Sequence, residues 1–252
     1  MTSDPLAGSR LVVVGIDAGG AEVARLALGH GDDPPRLLAV HGWEVLRVRD
    51  VLTHPVERHV LTLTFVVEPV DPVDPSKNQQ GEAVPLTVGA PARRDDDPDL
   101  HEGEVALRRQ RVAAYAVVTS PRGYLLTQFS DQTGAEGRWG LPGGGLEAGE
   151  APERAVVREV WEESGQLIEV PELALVRTSR WVGRAPGGRL EDFHAVRVVY
   201  RAQCPEPTEP VVHDVGGTTA AAAWVLPADL GPVDLTSGFA EILGEVAGAD
   251  GR

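Results

Sequence analysis

Cysteine is almost missing from this sequence. The single one, Cys204, excludes an internal disulfide and suits a reducing cytoplasm. Lysine is as scarce: Lys77 stands alone, so nearly all positive charge is arginine. Cations are outnumbered too, 23 Lys and Arg against 38 Asp and Glu, which leaves a net charge of −15. That balance argues against a general nucleic-acid binder, and it admits a polyanionic substrate only where metal and local arginines screen the site. No apolar run approaches the ~20 residues of a membrane span. The opening MTSDPLAGSR lacks the apolar core of a signal peptide, and no internal repeat is evident. The expectation is a cytoplasmic protein with no membrane or nucleic-acid partner. Its 252 residues, 42% hydrophobic, suffice for one large domain or two small ones.

Two patterned regions flank a poor one. Residues 70–105 hold Pro72, Pro75, Pro85, Pro91 and Pro98 with the acidic triplet Asp95, Asp96 and Asp97; no hydrophobic period survives, and the composition predicts a linker. Residues 1–69 read as a small α+β unit. Leu11 to Ile16 is a β-branched apolar run, Asp17, Gly19 and Gly20 supply a turn, and Glu22 to Leu28 returns as a second strand or forms a short helix, the strand being favoured. Asp33, Pro34 and Pro35 cap and open a helix ending near Gly42, and Trp43 to Val51 and Arg58 to Val67 alternate as strands, giving ββαββ. Its His30, His41, His54 and His59 fall at no metal-site spacing and read as surface or packed histidines. This unit is a candidate for pairing two copies as a homodimer, for covering an active site or for selecting substrate.

Residues 106–252 interleave strands and helices. Val112 to Val118, Tyr124 to Phe129, Leu173 to Val182, Phe193 to Arg201 and Ala220 to Val225 read as strands. A last helix from Ser237 to Val246 aligns Phe239, Ile242, Leu243 and Val246 on one stripe. The pattern predicts an α/β fold with a mixed sheet between helix layers.

The chemistry concentrates in Gly144 to Gly165, GGLEAGEAPERAVVREVWEESG. Pro152 suits a first helical turn and Gly165 the left-handed position that ends a helix, with roughly 13 residues between. At 100° per residue, Glu159, Glu162 and Glu163 fall within about a 100° arc, and Val156 and Val160 lie beside it as packing positions. An isolated acidic stripe of this kind is ordinarily a solvated face. Arg158 could pair with Glu162 across one turn. Clustered carboxylates also repel unless a cation sits among them, and hard oxygen ligands favour Mg²⁺ or Mn²⁺.

Seven residues decide between these readings. Gly144, Glu150, Arg158, Glu159, Glu162, Glu163 and Gly165 fit G-x5-E-x7-R-E-U-x-E-E-x-G, with Val160 as the aliphatic U. Seven fixed matches arise by chance roughly once in 10⁸ start points at ~7% usage per residue. The pattern resembles the Nudix box, and the resemblance extends upstream to Arg138, Trp139, Leu141, Pro142 and Gly143. One departure is Gln166, where an aliphatic residue is usual, with Leu167 next. The resemblance implies a Nudix α/β/α sandwich over roughly 106–252, with Mg²⁺ or Mn²⁺ as cofactor. It places the metal among Glu159, Glu162, Glu163 and the Gly143 carbonyl, makes Glu159 the base or a shared ligand, and has Arg158 orient Glu159 and contact Glu150. Gly144, Glu150 and Gly165 shape the motif. The implied reaction is hydrolysis of a nucleoside diphosphate linked to another moiety.

Outside the box, Glu191 is the candidate for one further carboxylate, with Asp192 and Asp214 competing. Trp181 is a candidate for stacking on a base, and Arg180 and Arg184 for meeting phosphates; packing and solvation are their plain alternatives. The ADP-ribose branch of the family usually keeps a proline near the place of Trp181 and Val182, so the nucleotide derivative stays open. A non-catalytic nucleotide sensor on the same fold is the alternative class. An isomerase of this fold relies on a cysteine before the box, whereas Cys204 follows it.

Overall fold

The computed structural model describes residues 10–54, 60–72, 92–93, 104–185 and 187–248. In chain order its elements are β1 (Arg10–Ile16), β2 (Glu22–Ala27), α1 (Pro34–Val40), β3 (Trp43–His54), β4 (Val60–Pro69), β5 (Ala92–Arg93), β6 (Leu107–Ser120), β7 (Gly123–Phe129), β8 (Trp139–Gly140), β9 (Gly143–Gly145), α2 (Pro152–Ser164), β10 (Glu172–Arg184), β11 (Leu190–Gln203), β12 (Thr219–Val225) and α3 (Ser237–Gly248). They build a four-stranded sheet of order β2-β1-β4-β3 and an eight-stranded sheet of order β12-β7-β6-β11-β10-β5, with β8 on β7 and β9 on β6. Parallel and antiparallel pairs mix in both sheets. This accords with the α/β fold and the extra ββαββ unit that the sequence predicts. No described helix is long and apolar enough to cross a membrane.

The chain divides into two compact units. One gathers the described residues up to Val112 with Glu147–Gly149 and Val176–Arg197; the other holds Ala113–Leu146, Glu150–Leu175 and Val198 onward. The expected boundaries at 69 and 106 follow local pattern only, and the structure groups residues 104–112 and 176–197 with the N-terminal strands. Most of the expected linker lies outside the described residues; within it, Ala92–Arg93 pairs in parallel with Trp181–Val182. Arg58 and His59 also lie outside the described residues.

The first unit begins with a hairpin. Asp17 closes its turn, taking the Ala21 N–H at 2.9 Å on its side chain. Asp33 caps α1 by accepting the Arg36 N–H at 3.2 Å, ahead of Pro34 and Pro35 in the first turn. Leu38 of α1 is fully buried and meets Gly15 of β1. Residues 29–33 then bind β6, β10 and β11 through polar groups. Thr178 donates to Asp33 at 2.8 Å, and His30 Nε2 lies 3.1 Å from Asp192. The Gly31 N–H (3.1 Å) and the Gln110 amide (2.8 Å) both donate to His194 Nδ1. Gly31 has φ +86°, and a Cβ there would meet Arg180 at 2.8 Å, so only glycine lets the chain pass.

The second unit is a packed sandwich. Phe239, Ile242, Leu243 and Val246 of α3 bury the predicted stripe against Val117, Leu126, Leu141 and Val199. Each such side chain contributes roughly 1.5–3 kcal/mol on full burial. Tyr115 and Phe239 meet edge to face, centroids 4.9 Å apart. On α2, Ala155, Val156 and Val160 are fully buried.

His194 makes the first unit sensitive to acid. Its Nδ1 accepts two N–H groups, so the neutral ring carries its proton on Nε2, which is buried without a hydrogen-bond partner. Burial first, then the neighbouring His30, lowers its pKa from 6.5 to about 4. Below about 6.5 the unfolded chain therefore takes up a proton that the folded ring refuses. Stability should fall as pH drops from about 6.5 to about 4, by up to about 1.4 kcal/mol per pH unit for this one proton. His194→Gln should flatten that slope in urea melts across the window; an unchanged slope would assign it to another group.

Candidate active site

The site grows from α2 and the loop before it. Pro152 occupies the first turn and Gly165 ends the helix with φ +68°, as the sequence predicts. The carbonyls left over at the helix end are taken by the segment before β12: Val211 N donates to Ser164 O at 2.9 Å, and His213 N (2.7 Å) and Asp214 N (3.1 Å) both donate to Glu162 O. His213 also stacks on Trp161, centroids 4.6 Å apart.

Arg158 organises the carboxylates. Its Nε and Nη2 grip Glu150 at 3.0 and 2.9 Å, its Nη1 reaches Glu159 and Glu162 at 2.9 Å each, and Nη2 also donates to the Gly145 carbonyl at 3.2 Å. The Glu162 pairing and the contacts to Glu150 and Glu159, offered by the sequence as alternatives, coexist in one guanidinium. These partners, Glu150 foremost, raise the arginine's pKa further above its usual range.

Glu163 is different. It is 6% exposed, and it accepts from the Gly143 N–H at 2.8 Å and from the Thr219 hydroxyl. Neither partner is a cation. Burial pushes its pKa up to about 8, against the two hydrogen bonds, with Glu159 and Asp214 adding repulsion. Asp214 shares a cavity wall with Thr219, the hydroxyl partner of Glu163. Its carboxylate lies over Gly217, where a Cβ would collide with it. A cavity of about 280 Å³ adjoins, lined by Ser130, Gln132, Asp214, Gly217, Thr219 and Ala220. A larger one of about 360 Å³, with Thr119, Tyr124 and Arg201 in its wall, shares no residue with the box.

The glycine loop is shaped by close approach. β9 pairs with β6, Gly143 opposite Tyr115 and Gly144 opposite Ala114. Gly143 has φ +142°, and a Cβ there would overlap the Ala114 carbonyl. A Cβ on Gly144 would meet the Glu159 carboxyl at 2.6 Å, so the missing side chain makes room for that carboxylate. Among the described residues no three carboxylate, imidazole or thiol groups stand as a ready-made metal cage; Glu159 and Glu162 are drawn to Arg158, while Glu163 turns to Gly143 and Thr219.

The NUDIX domain pattern matches residues 109–244, more than half of the chain. The chain belongs to the Nudix family. It is a Nudix-type pyrophosphohydrolase, an enzyme acting on acid anhydrides in phosphorus-containing compounds. Nucleoside triphosphatase NudI of Escherichia coli O139:H28 is 30% identical over 134 residues, which are 50% of this chain and 89% of that protein; the Shigella flexneri protein of the same name matches equally. A MutT NUDIX hydrolase from Burkholderia pseudomallei is 32% identical, covering 55% of this chain and 98% of its own, at a TM-score of 0.44.

Other Nudix positions find structural partners. Arg138 ties its loop to residues 234–235, donating to Asp234 at 3.3 Å and to the Leu235 carbonyl at 3.0 Å. Gln166, the departure from the box, is 2% exposed. Its amide donates to Ser164 O at 3.1 Å and to Thr208 Oγ1 at 3.0 Å, and its oxygen accepts the Thr208 N–H at 3.0 Å. A buried polar staple has replaced the usual aliphatic contact, while Leu167 is exposed.

Apart from Asp214, the candidates outside the box lie in the first unit. Glu191 is buried and paired with Arg109 at 3.1 Å. Asp192 takes both forks of Arg180 at 2.7 and 2.6 Å, which holds its carboxyl down to about 2. Arg184 reaches Glu104 and the Gly188 carbonyl. Trp181 lies against Phe193, centroids 4.6 Å apart. Phe193 and Thr219 escaped the sequence reading, since neither belongs to a spaced motif.

The two loop glycines should separate shape from chemistry. Gly143→Ala, forced against backbone at positive φ, should lower Tm by several degrees. Gly144→Ala meets only a movable carboxylate, so it should leave Tm within about 2 °C while cutting turnover. Equal loss of Tm in both variants would reassign Gly144 to the backbone.

Proposed function

We propose that this enzyme hydrolyses the diphosphate linkage of a nucleoside diphosphate joined to another moiety, a nucleoside triphosphate included, with a divalent cation held by Glu159, Glu162, Glu163 and the Gly143 carbonyl. The observation that carries the reading is Glu163, a buried carboxylate without a cationic partner beside two further box carboxylates. All donors in this set are hard oxygens, which suit Mg²⁺ or Mn²⁺. Such a cation supplies charge screening for the phosphates and a more acidic water.

The chain's own residues supply the rest. Water oxygen bonds to phosphorus, the bridging P–O bond breaks, and its electrons leave with the second phosphate. Glu159 accepts the proton of the attacking water. Gly144 leaves the space in which the Glu159 carboxylate sits, and Arg158 fixes that carboxylate through Nη1 while Glu150 anchors the guanidinium. We assign the further carboxylate to Asp214 in place of Glu191. Asp214 lies in the segment bound to the end of α2 and lines a cavity with Thr219, the partner of Glu163, whereas Glu191 is occupied by Arg109. The name of the NudI relative favours triphosphates among the open substrates.

Hydrolysis of a nucleoside triphosphate panel should require Mg²⁺ or Mn²⁺ and stop in excess chelator; undiminished release of phosphate products there would sink the metal reading. Glu159→Gln should lower kcat by about 10²–10⁴-fold with a smaller change in KM. Recovery of native kcat at high Mg²⁺ would make Glu159 a ligand only, and Asp214→Asn would then be the next variant to measure.

A further inference from the structure

β3 is the edge of its sheet. In the order β2-β1-β4-β3 it has β4 on one side, and among the described residues no strand pairs with its other side. At 12 residues it is a long open row of backbone donors and acceptors, which a further strand can complete. It also carries Leu46 and Leu52, 53% and 52% exposed. Its pairing with β4 is irregular between Val45 and Arg47 and again between Val48 and Asp50, where Arg49 is left without a β4 partner.

Bulges and charges blunt an edge against indiscriminate addition. Here the second bulge also sorts the charges. Arg47 and Asp50 are three residues apart and would point to opposite faces of a regular strand. Their β4 partners are Val66 and Thr64, two apart, so both stand on one face. Asp50 Oδ1 is buried with no hydrogen-bond partner, and neither Asp50 nor the exposed Arg47 enters an ion pair among the described residues.

We propose that β3 pairs with β3 of a second copy of this chain, antiparallel about a two-fold axis between Val48 and Arg49, so that Arg47 of each copy lies opposite Asp50 of the other. A two-fold contact uses the same patch twice, so the patch must complement itself. This register supplies two opposite-charge pairs, directly opposite and about 5 Å apart at Cβ. The neighbouring registers do not. With the axis at Val48, Arg47 lies opposite Arg49; with the axis at Arg49, that residue lies opposite its own copy. Both bring guanidiniums together, so the charges select one register. Leu46 and Leu52 flank the new ladder and lose part of their exposure.

Sedimentation of the full chain tests this. The native protein should sediment at twice the chain mass at micromolar concentration. Arg47→Asp sets carboxylates opposite each other, Asp50→Arg sets guanidiniums opposite each other, and each variant alone should sediment as a monomer. Mixed together, the two should form a dimer again, because each then offers the charge that the other lacks. A monomeric native protein overturns the proposal, as do folded single variants that stay dimeric or a mixture that stays monomeric. Circular dichroism shows whether each variant is folded. If Asp50→Arg does not fold, nitroxides on Leu52→Cys read the same register with the native charges in place, Cys204 being buried. In the dimer the two labels should lie roughly 20 Å apart. A dimer whose labels all lie beyond roughly 35 Å overturns the pairing of β3 with β3.

Discussion

A single guanidinium holds the candidate active site in shape. Arg158 satisfies both oxygens of Glu150, one oxygen each of Glu159 and Glu162, and the Gly145 carbonyl. Without it, carboxylates crowded on one helical stripe would repel, and the loop would lose its anchor to α2. A planar fork offers five N–H donors in fixed directions, enough for these five acceptor atoms, whereas an ammonium offers three. The same residue leaves Glu163 outside its reach. That carboxylate is buried among neutral donors, and it gives the site its unmet demand for positive charge.

Backbone geometry brings these groups to one place. β9 lies on β6 closely enough that Gly143 and Gly144 cannot carry side chains without striking Ala114 or Glu159. The segment before β12 binds the loose carbonyls at the end of α2 and leads into Thr219, which donates to Glu163. Capping the helix and completing the site are thus one event. Gln166 belongs to the same economy of contacts: its amide sits where an apolar side chain is usual and fastens α2 to Thr208.

In the first unit the alternation of a strand sets chemistry on two sides. Even-numbered Asp192 and His194 turn to residues 29–33, and odd-numbered Glu191, Phe193 and Arg197 turn the other way. A cluster that reads as one polar turn in the sequence is therefore split into a structural tie and a half-buried aromatic pair.

Local order was legible in the sequence. The helix from Pro152 to Ser164, its glycine stop, the cap at Asp33 and the apolar stripe of α3 all follow from rules that act within a few residues, and the spacing of the box marked Glu150, Arg158, Glu159, Glu162 and Glu163 together. Strand ends were less so: β6 and β11 run longer than their alternation predicts, because pairing with neighbours sustains them beyond the apolar stretch. Only the tertiary structure decided which distant groups meet. It placed Thr219 against Glu163, gave Glu191 to Arg109 and Asp192 to Arg180, and joined residues 176–197 to the N-terminal strands. The physical reason is range. Caps, turns and helical stripes are settled by neighbours along the chain, whereas the partner of a charged side chain is settled by which strand lies beside it in the sheet, and periodicity carries no record of that.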